Sequence, residues 1–237
     1  MLLYIIRHAD PIYKPDSLTE KGKRQAEALG RRLSVHGLDK IYCSPMIRAQ
    51  ETARPACELL GIKPEILDWT SEEYASRDFG FNDPDRDNIW TWTFGVDVTR
   101  YKNEKVLAMG DEWYKAEPFC FSNAKEGYER IGRESDSFLE KLGYKREGLK
   151  YKILNGNNEK VAVFCHYGFG TTWMSHLLGI NPMLFWSTFD INHSGVTIIE
   201  FQNRDSGYTA PKVLALSEVS HFYGDRLPMQ FTNRIDI

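Results

Sequence analysis

The chain reads as an α/β fold, a three-layer α/β/α sandwich carrying an inserted cap. Three observations predict it. Short apolar runs alternate with helical stretches toward both ends of the chain, which places a sheet between two helix layers. Three of those runs lead into basic or imidazole side chains. Between the two alternating parts, residues 74–121 break the pattern with turn signals and 11 of the chain's 31 aromatic residues.

Residues 2–6, Leu-Leu-Tyr-Ile-Ile, form a short apolar run of strand formers and lead into Arg7-His8. Thr19 caps a helix that runs through about residue 36, where Ala26, Leu29 and Leu33 recur at helical spacing and Gly37 ends it. A second strand covers residues 40–43 and breaks at Ser44-Pro45. A helix follows over residues 47–60, with Ala49, Thr52, Ala53, Ala56 and Leu60 on its inner face. Pro55 is expected to kink it or tighten its first turns. Residues 64–69 read as a third strand.

From 74 to 121 no long periodic run is present, and Asn82-Asp83-Pro84-Asp85 is a turn signal. Aromatics at this density argue against a loose linker, so the stretch reads as a packed cap over the active site or as an irregular extension of the main core. Regular structure resumes at Ala124, where Tyr128, Ile131, Phe138, Leu139 and Leu142 make one helical stripe. Residues 160–165 form a strongly apolar strand ending at His166. Gly168 and Gly170 open a helix through Leu178, and residues 196–201 and 213–216 read as two further strands.

With 237 residues, 42% hydrophobic and 27% charged, the chain can build a sizeable core; one α/β domain is the reading, with two small domains as the alternative. The net charge of −3 carries no basic excess, so no nucleic-acid partner is expected and any anion site must be a local cluster. Cys43, Cys57, Cys120 and Cys165 are scattered without zinc spacing, and no metal or cofactor is expected. The apolar start is too short for a signal peptide and is ended by Arg7. No run approaches the ~20 apolar residues of a membrane span. The expectation is a cytoplasmic protein with reduced thiols and no membrane partner. Asn192-His193-Ser194 matches a glycosylation sequon and is read as chance.

The chemistry sits after the strands. Arg7-His8 follows the first, Arg48 follows the second, and His166 follows the strand over 160–165. Ligands of α/β sheets bind at the carboxyl ends of the strands. If these strands are parallel, two arginine forks and two imidazoles converge on one pocket. Arginine forks hold phosphoryl oxygens by charge-assisted bonds, and an imidazole can attack phosphorus.

Arg7-His8-Ala9-Asp10, Ser17 to Gly22 with Gln25-Ala26, and Tyr42 to Ala53 together resemble the histidine phosphatase superfamily, the phosphoglycerate mutase-like proteins. Val163-Phe164-Cys165-His166-Tyr167-Gly168 is similar to its second histidine motif, and Gly195-Val196-Thr197 to its late strand. The resemblance covers about residues 1–73 and 124–203. It implies a mostly parallel central sheet and a single domain over 1–237 with the insertion at about 74–121. It also implies that His8 is a nucleophile that becomes phosphohistidine and that Arg7, Arg48 and His166 form the phosphate pocket. The general acid would be Glu72 or Glu73, with Glu72 favoured and Asp78 the next candidate.

The resemblance is broken in places. Ala9 stands where the family usually has glycine, and Tyr167 stands where glycine usually follows the second histidine. The loop over residues 10–16 offers no obvious phosphate ligand. Ser71-Glu72-Glu73-Tyr74-Ala75 lacks the basic neighbours of the mutase branch, which favours hydrolysis of a small phosphorylated substrate over mutase-type phosphoryl transfer. Residues 74–121 carry six Lys or Arg against nine Asp or Glu, so a cap built from them suits a ring-bearing or apolar leaving group better than a polyphosphate. A non-catalytic phospholigand-binding protein on the same fold is the rival reading.

Overall fold

Along the first strand Leu3 and Ile5 face one side of the sheet and Ile6 the other, and each side packs into its own core. The computed structural model describes residues 1–229. In chain order, β1 (Leu2–Arg7), β2 (Pro11–Tyr13) and β3 (Asp16–Leu18) precede α1 (Glu20–His36), β4 (Lys40–Cys43), α2 (Ile47–Leu60) and β5 (Glu65–Ile66). Next come α3 (Glu72–Phe79), the hairpin β6 (Gly80–Asp83) and β7 (Ile89–Trp92), and α4 (Glu104–Leu107). Then follow α5 (Ala124–Lys141), the hairpin β8 (Tyr144–Glu147) and β9 (Lys150–Ile153), β10 (Lys160–Cys165), α6 (Tyr167–Leu178) and α7 (Pro182–Trp186). The described chain closes with β11 (Val196–Glu200), β12 (Tyr208–Thr209), β13 (Lys212–Glu218) and α8 (His221–Asp225).

The central sheet has the order β13-β11-β1-β10-β4-β5. β1, β10, β4 and β5 run parallel, while β11 and β13 add an antiparallel edge. On one face Ile6, Ile41, Ala162 and Phe164 pack against Leu29 and Leu33 of α1 and Ala49, Ala53 and Ala56 of α2. On the other, Leu3, Ile5, Val161 and Val163 meet Ile131, Phe138 and Leu139 of α5 and Phe169 and Trp173 of α6. The expected sandwich with a mostly parallel sheet therefore forms.

Thr19 caps α1 by accepting a bond from the Gly22 N–H at 3.0 Å. The two helices on that face approach closely at Gly30, where a Cβ would lie 2.8 Å from the Pro55 Cβ. α2 continues through Pro55 to Leu60 as one helix. The third strand is shorter than its apolar run implies. β5 keeps only Glu65–Ile66, because a 3-10 turn over Asp68–Thr70 takes the chain off the sheet edge. The loop over 10–16 holds a small antiparallel hairpin, β2–β3.

Residues 72–121 divide their aromatics between two tasks. Phe79, Phe94, Tyr101, Trp113 and Phe119 join the core that contains Leu3 and Val163. Trp90 and Trp92 instead line a cavity at the carboxyl ends of the parallel strands.

Candidate active site

Sheet register brings the candidate residues together. Arg7 pairs with Cys165 across β1 and β10, and Phe164 pairs with Cys43 across β10 and β4. The residues that leave those strands, His8, His166 and Ser44, therefore emerge side by side. The His8 N–H donates to the Cys165 carbonyl at 2.8 Å, and the Ser44 N–H to the Phe164 carbonyl at 2.9 Å. The His8 and His166 rings lie 5.2 Å apart. A cavity of about 670 Å³ opens there, lined by Arg7, His8, Arg48, Glu72 and Tyr167 among others.

The backbone fixes the tautomer of His8. Its Nδ1 lies 2.7 Å from the Ala9 carbonyl oxygen, which can only accept, so Nδ1 carries the proton and Nε2 keeps its lone pair. Burial, reinforced by the Arg7 charge, holds the ring well below the usual histidine range, so it is neutral at physiological pH. Burial and the neighbouring His8 do the same to His166. Its Nε2 lies 2.7 Å from the Ser44 hydroxyl. Its Nδ1 is buried without a hydrogen-bond partner among the described residues.

The two arginines are held from behind. Arg7 donates to the Ile191 carbonyl at 2.6 Å and to His193 Nε2 at 2.7 Å. Arg48 donates to Asp16 Oδ1 at 2.8 Å, and the other oxygen of Asp16 caps α2 at the Ile47 N–H, 2.7 Å away. The Nε of each arginine is buried and unpartnered among the described residues. Unmatched buried donors at one spot are costly unless an acceptor fills it, and phosphoryl oxygens supply acceptors.

Glu72 begins α3, with Ser71 as its cap. Its two carboxylate oxygens accept the N–H groups of Gly168 at 2.8 Å and Phe169 at 2.9 Å. Burial pushes its pKa up, and those two bonds pull partly back. Glu73 also borders the cavity but is exposed. Asp78 is not a lining residue; it is buried in ion pairs with Arg130 at 3.0 Å and Arg77 at 2.8 Å.

The loop after His8 is tied to both α2 and α1. The Ala9 N–H donates to Thr52 Oγ1 at 2.9 Å, and the Asp10 N–H to Gln25 Oε1 at 2.9 Å. Gly22 is required by this docking, since a Cβ there would lie 2.2 Å from the Asp10 carbonyl oxygen. Sequence reasoning missed several neighbours. His193, read only as part of a sequon, stands 5.4 Å from the His8 ring and accepts from Arg7. Its other ring nitrogen, Nδ1, lies 3.5 Å from Asp10. Asp16 and Tyr13 come from the loop over 10–16. A signal for Asp16 lay in its carboxylate, the natural partner of Arg48, but only the hairpin brings them together.

A neutral buried imidazole between two arginine forks, at the carboxyl ends of a parallel sheet, defines a candidate site for handling a phosphoryl group. Residues 3–76 match the family described as the histidine phosphatase superfamily, branch 1. Over 152 residues the chain is 30% identical to an adenosylcobalamin/alpha-ribazole phosphatase of Salmonella typhi, spanning 60% of this chain and 67% of that one. Over 211 residues it is 23% identical to phosphoserine phosphatase 1 of Hydrogenobacter thermophilus, spanning 85% and 87%. A mutant phosphoserine phosphatase of Entamoeba histolytica in complex with phosphoserine superposes with a TM-score of 0.60 at 17% identity, over 93% of this chain and 98% of that one. The chain belongs to the histidine phosphatase superfamily, as its motifs imply. Among the described residues no helix is long and apolar enough to cross a membrane.

Proposed function

We propose that the protein is a phosphoric monoester hydrolase that acts on a small phosphorylated substrate, without a metal ion, through a phosphohistidine on His8. The observation that carries this reading is the His8 ring: neutral, with its Nδ1 proton spent on the Ala9 carbonyl and its Nε2 lone pair kept. The relatives and structural neighbours described above are phosphatases.

The reaction runs in two displacements. His8 Nε2 attacks phosphorus, an N–P bond forms, and the P–O bond to the leaving group breaks. The Glu72 carboxyl gives its proton to the departing oxygen. Arg7, Arg48 and His166 hold the three remaining phosphoryl oxygens as charge accumulates on them. Water then attacks the phosphohistidine, Glu72 takes its proton, and the N–P bond breaks to release phosphate. Hydrolysis is favoured over mutase-type transfer because, among the described residues, Arg77 is the one further cationic residue lining the cavity, and its Nε is bonded to Asp78. The hairpin β6–β7 serves as the part of the 74–121 insertion that caps the site. We place the protein in the cytoplasm, a reading supported by its four unpaired cysteines.

Initial rates on a chromogenic aryl phosphate test the proposal. Chelator should leave the rate unchanged, and His8→Ala should melt near the wild type while turning over at background. A chelator-sensitive wild type or an active His8→Ala protein contradicts it.

A further inference from the structure

The cavity is far larger than a phosphoryl group needs, so its remaining walls select the leaving group. One of those walls is aromatic and rests on glycine. A Cβ on Gly168 would lie 3.0 Å from the Trp92 ring and 3.1 Å from Glu72 Oε1, so the indole edge packs on bare backbone beside the carboxylate that protonates the leaving oxygen. A Cβ on Gly80 would lie 2.5 Å from the Trp90 Nε1, so the second indole also packs against bare backbone. Trp90 and Trp92 stand edge to face at 5.3 Å, and Trp92 stacks in turn on Phe94 at 5.1 Å.

The inner ring of this series is committed to the fold, for Phe94 is buried in the main core. The outer one is not. Trp90 is 47% exposed although it borders the cavity. An indole held rigidly at a cavity mouth, with nearly half its surface in water, gains most by stacking on a planar partner. Tyr13, 65% exposed, adds a further ring to the same cavity, lying over the Arg48 guanidinium at 5.5 Å. Arg77 at the same rim has its Nε bonded to Asp78 at 2.8 Å, which limits it as a second anion grip and leaves the rings as the larger contact surface.

We propose that Trp90 and Trp92 form the specificity wall of the pocket, and that the substrate is a phosphomonoester whose alcohol carries a planar aromatic or heteroaromatic ring a few bonds from the ester oxygen. This rests on the phosphatase reading above and deepens it. Trp92 fixes where the ring begins, beside Glu72, and Trp90 supplies the face on which it stacks.

The test compares 2-phenylethyl phosphate with butyl phosphate. Their leaving alcohols have nearly equal acidity, so a difference between them reports recognition and not leaving-group chemistry. The wild type should prefer the phenyl ester by about tenfold or more in kcat/KM, through KM. Trp90→Ala should lose that preference, falling at least about fivefold further on the phenyl ester than on butyl phosphate, and Trp90→Phe should retain most of it. Equal turnover of the two esters by the wild type, or equal losses on both in Trp90→Ala, overturns the wall while leaving the hydrolase reading intact. Calorimetric binding of the same esters to His8→Ala measures the preference without turnover. A phenyl preference there supports the wall even if the chemistry fails, and its absence overturns it.

Discussion

Glu72 and Glu73 are adjacent and equally acidic in sequence, yet the fold treats them differently. Glu72 sits at the first position of α3 against two N–H groups of α6, whereas Glu73 is exposed at the rim. Glu72→Gln should slow hydrolysis of an alkyl phosphate by about 10²–10⁴-fold. An aryl phosphate with an acidic leaving group should suffer far less, and Glu73→Gln should change neither. Equal losses on both esters in Glu72→Gln, or the selective loss in Glu73→Gln, would move the acid elsewhere. The pH profile follows from the same carboxyl. Its pKa is raised, so the protonated form persists upward from the usual carboxylate range, and alkyl-ester turnover should fall as pH rises through that elevated value. Removing the carboxyl in Glu72→Gln should erase that limb of the profile. His193 shows what a single residue does not disclose: nothing local marks it, and only β11 and the loop before it carry it to Arg7.

At the scale of elements, the motif from Ser17 to Ala26 becomes a docking device. Thr19 caps α1, Gln25 holds the Asp10 N–H, and Gly22 lets the helix reach the Asp10 carbonyl. Gly22→Ala should cost about 1–3 kcal/mol of stability, by the overpacking it forces. It should also lower kcat/KM, because the displaced loop follows His8. Gly224→Ala, with nothing within 4 Å of its Cβ, is the matched control. Thermal melts and initial rates would show it; a wild-type Gly22→Ala protein would separate the loop from the catalytic geometry. The long elements were legible because they carry periodic patterns and caps: α1, α2, α5, α6 and β10 stand close to where sequence places them. The β8–β9 hairpin and α7 were not, since each is only a few residues long. α3 was hidden because its eight residues lie where the periodic signal fades. The aromatic stretch resisted reading because it is built from 3-10 turns and a short hairpin, which have no sustained period.

The whole molecule buries three imidazoles as neutral groups. Burial depresses His8 and His166 well below the usual range and His221 to about 4. In the unfolded chain each would take up a proton near pH 6.5. Their contribution to stability is therefore present above pH 6.5 and is lost as pH falls toward the folded values, by up to about 1.4 kcal/mol per pH unit for each ring. Denaturant melts between pH 7 and pH 4.5 should show that decline. His221→Gln, whose amide reaches the position of Nε2 and so keeps a partner for Ser194, should make it shallower; an unchanged slope would mean that His221 is protonated in the fold. What sequence conveyed at this scale was the convergence of three strand ends. The parallel order β1-β10-β4 that makes them converge depends on pairing between distant segments. In the proposed reaction His8 carries the phosphoryl group between the two displacements. Rapid acid–base quenching of a single turnover with a radiolabelled phosphomonoester tests it most directly. A protein-bound phosphate that is acid-labile and base-stable should form in the wild type, build up further in Glu72→Gln with an aryl ester, and be absent in His8→Ala. A wild type that turns over its ester without such an intermediate, or a His8→Ala protein that still forms one, would contradict it.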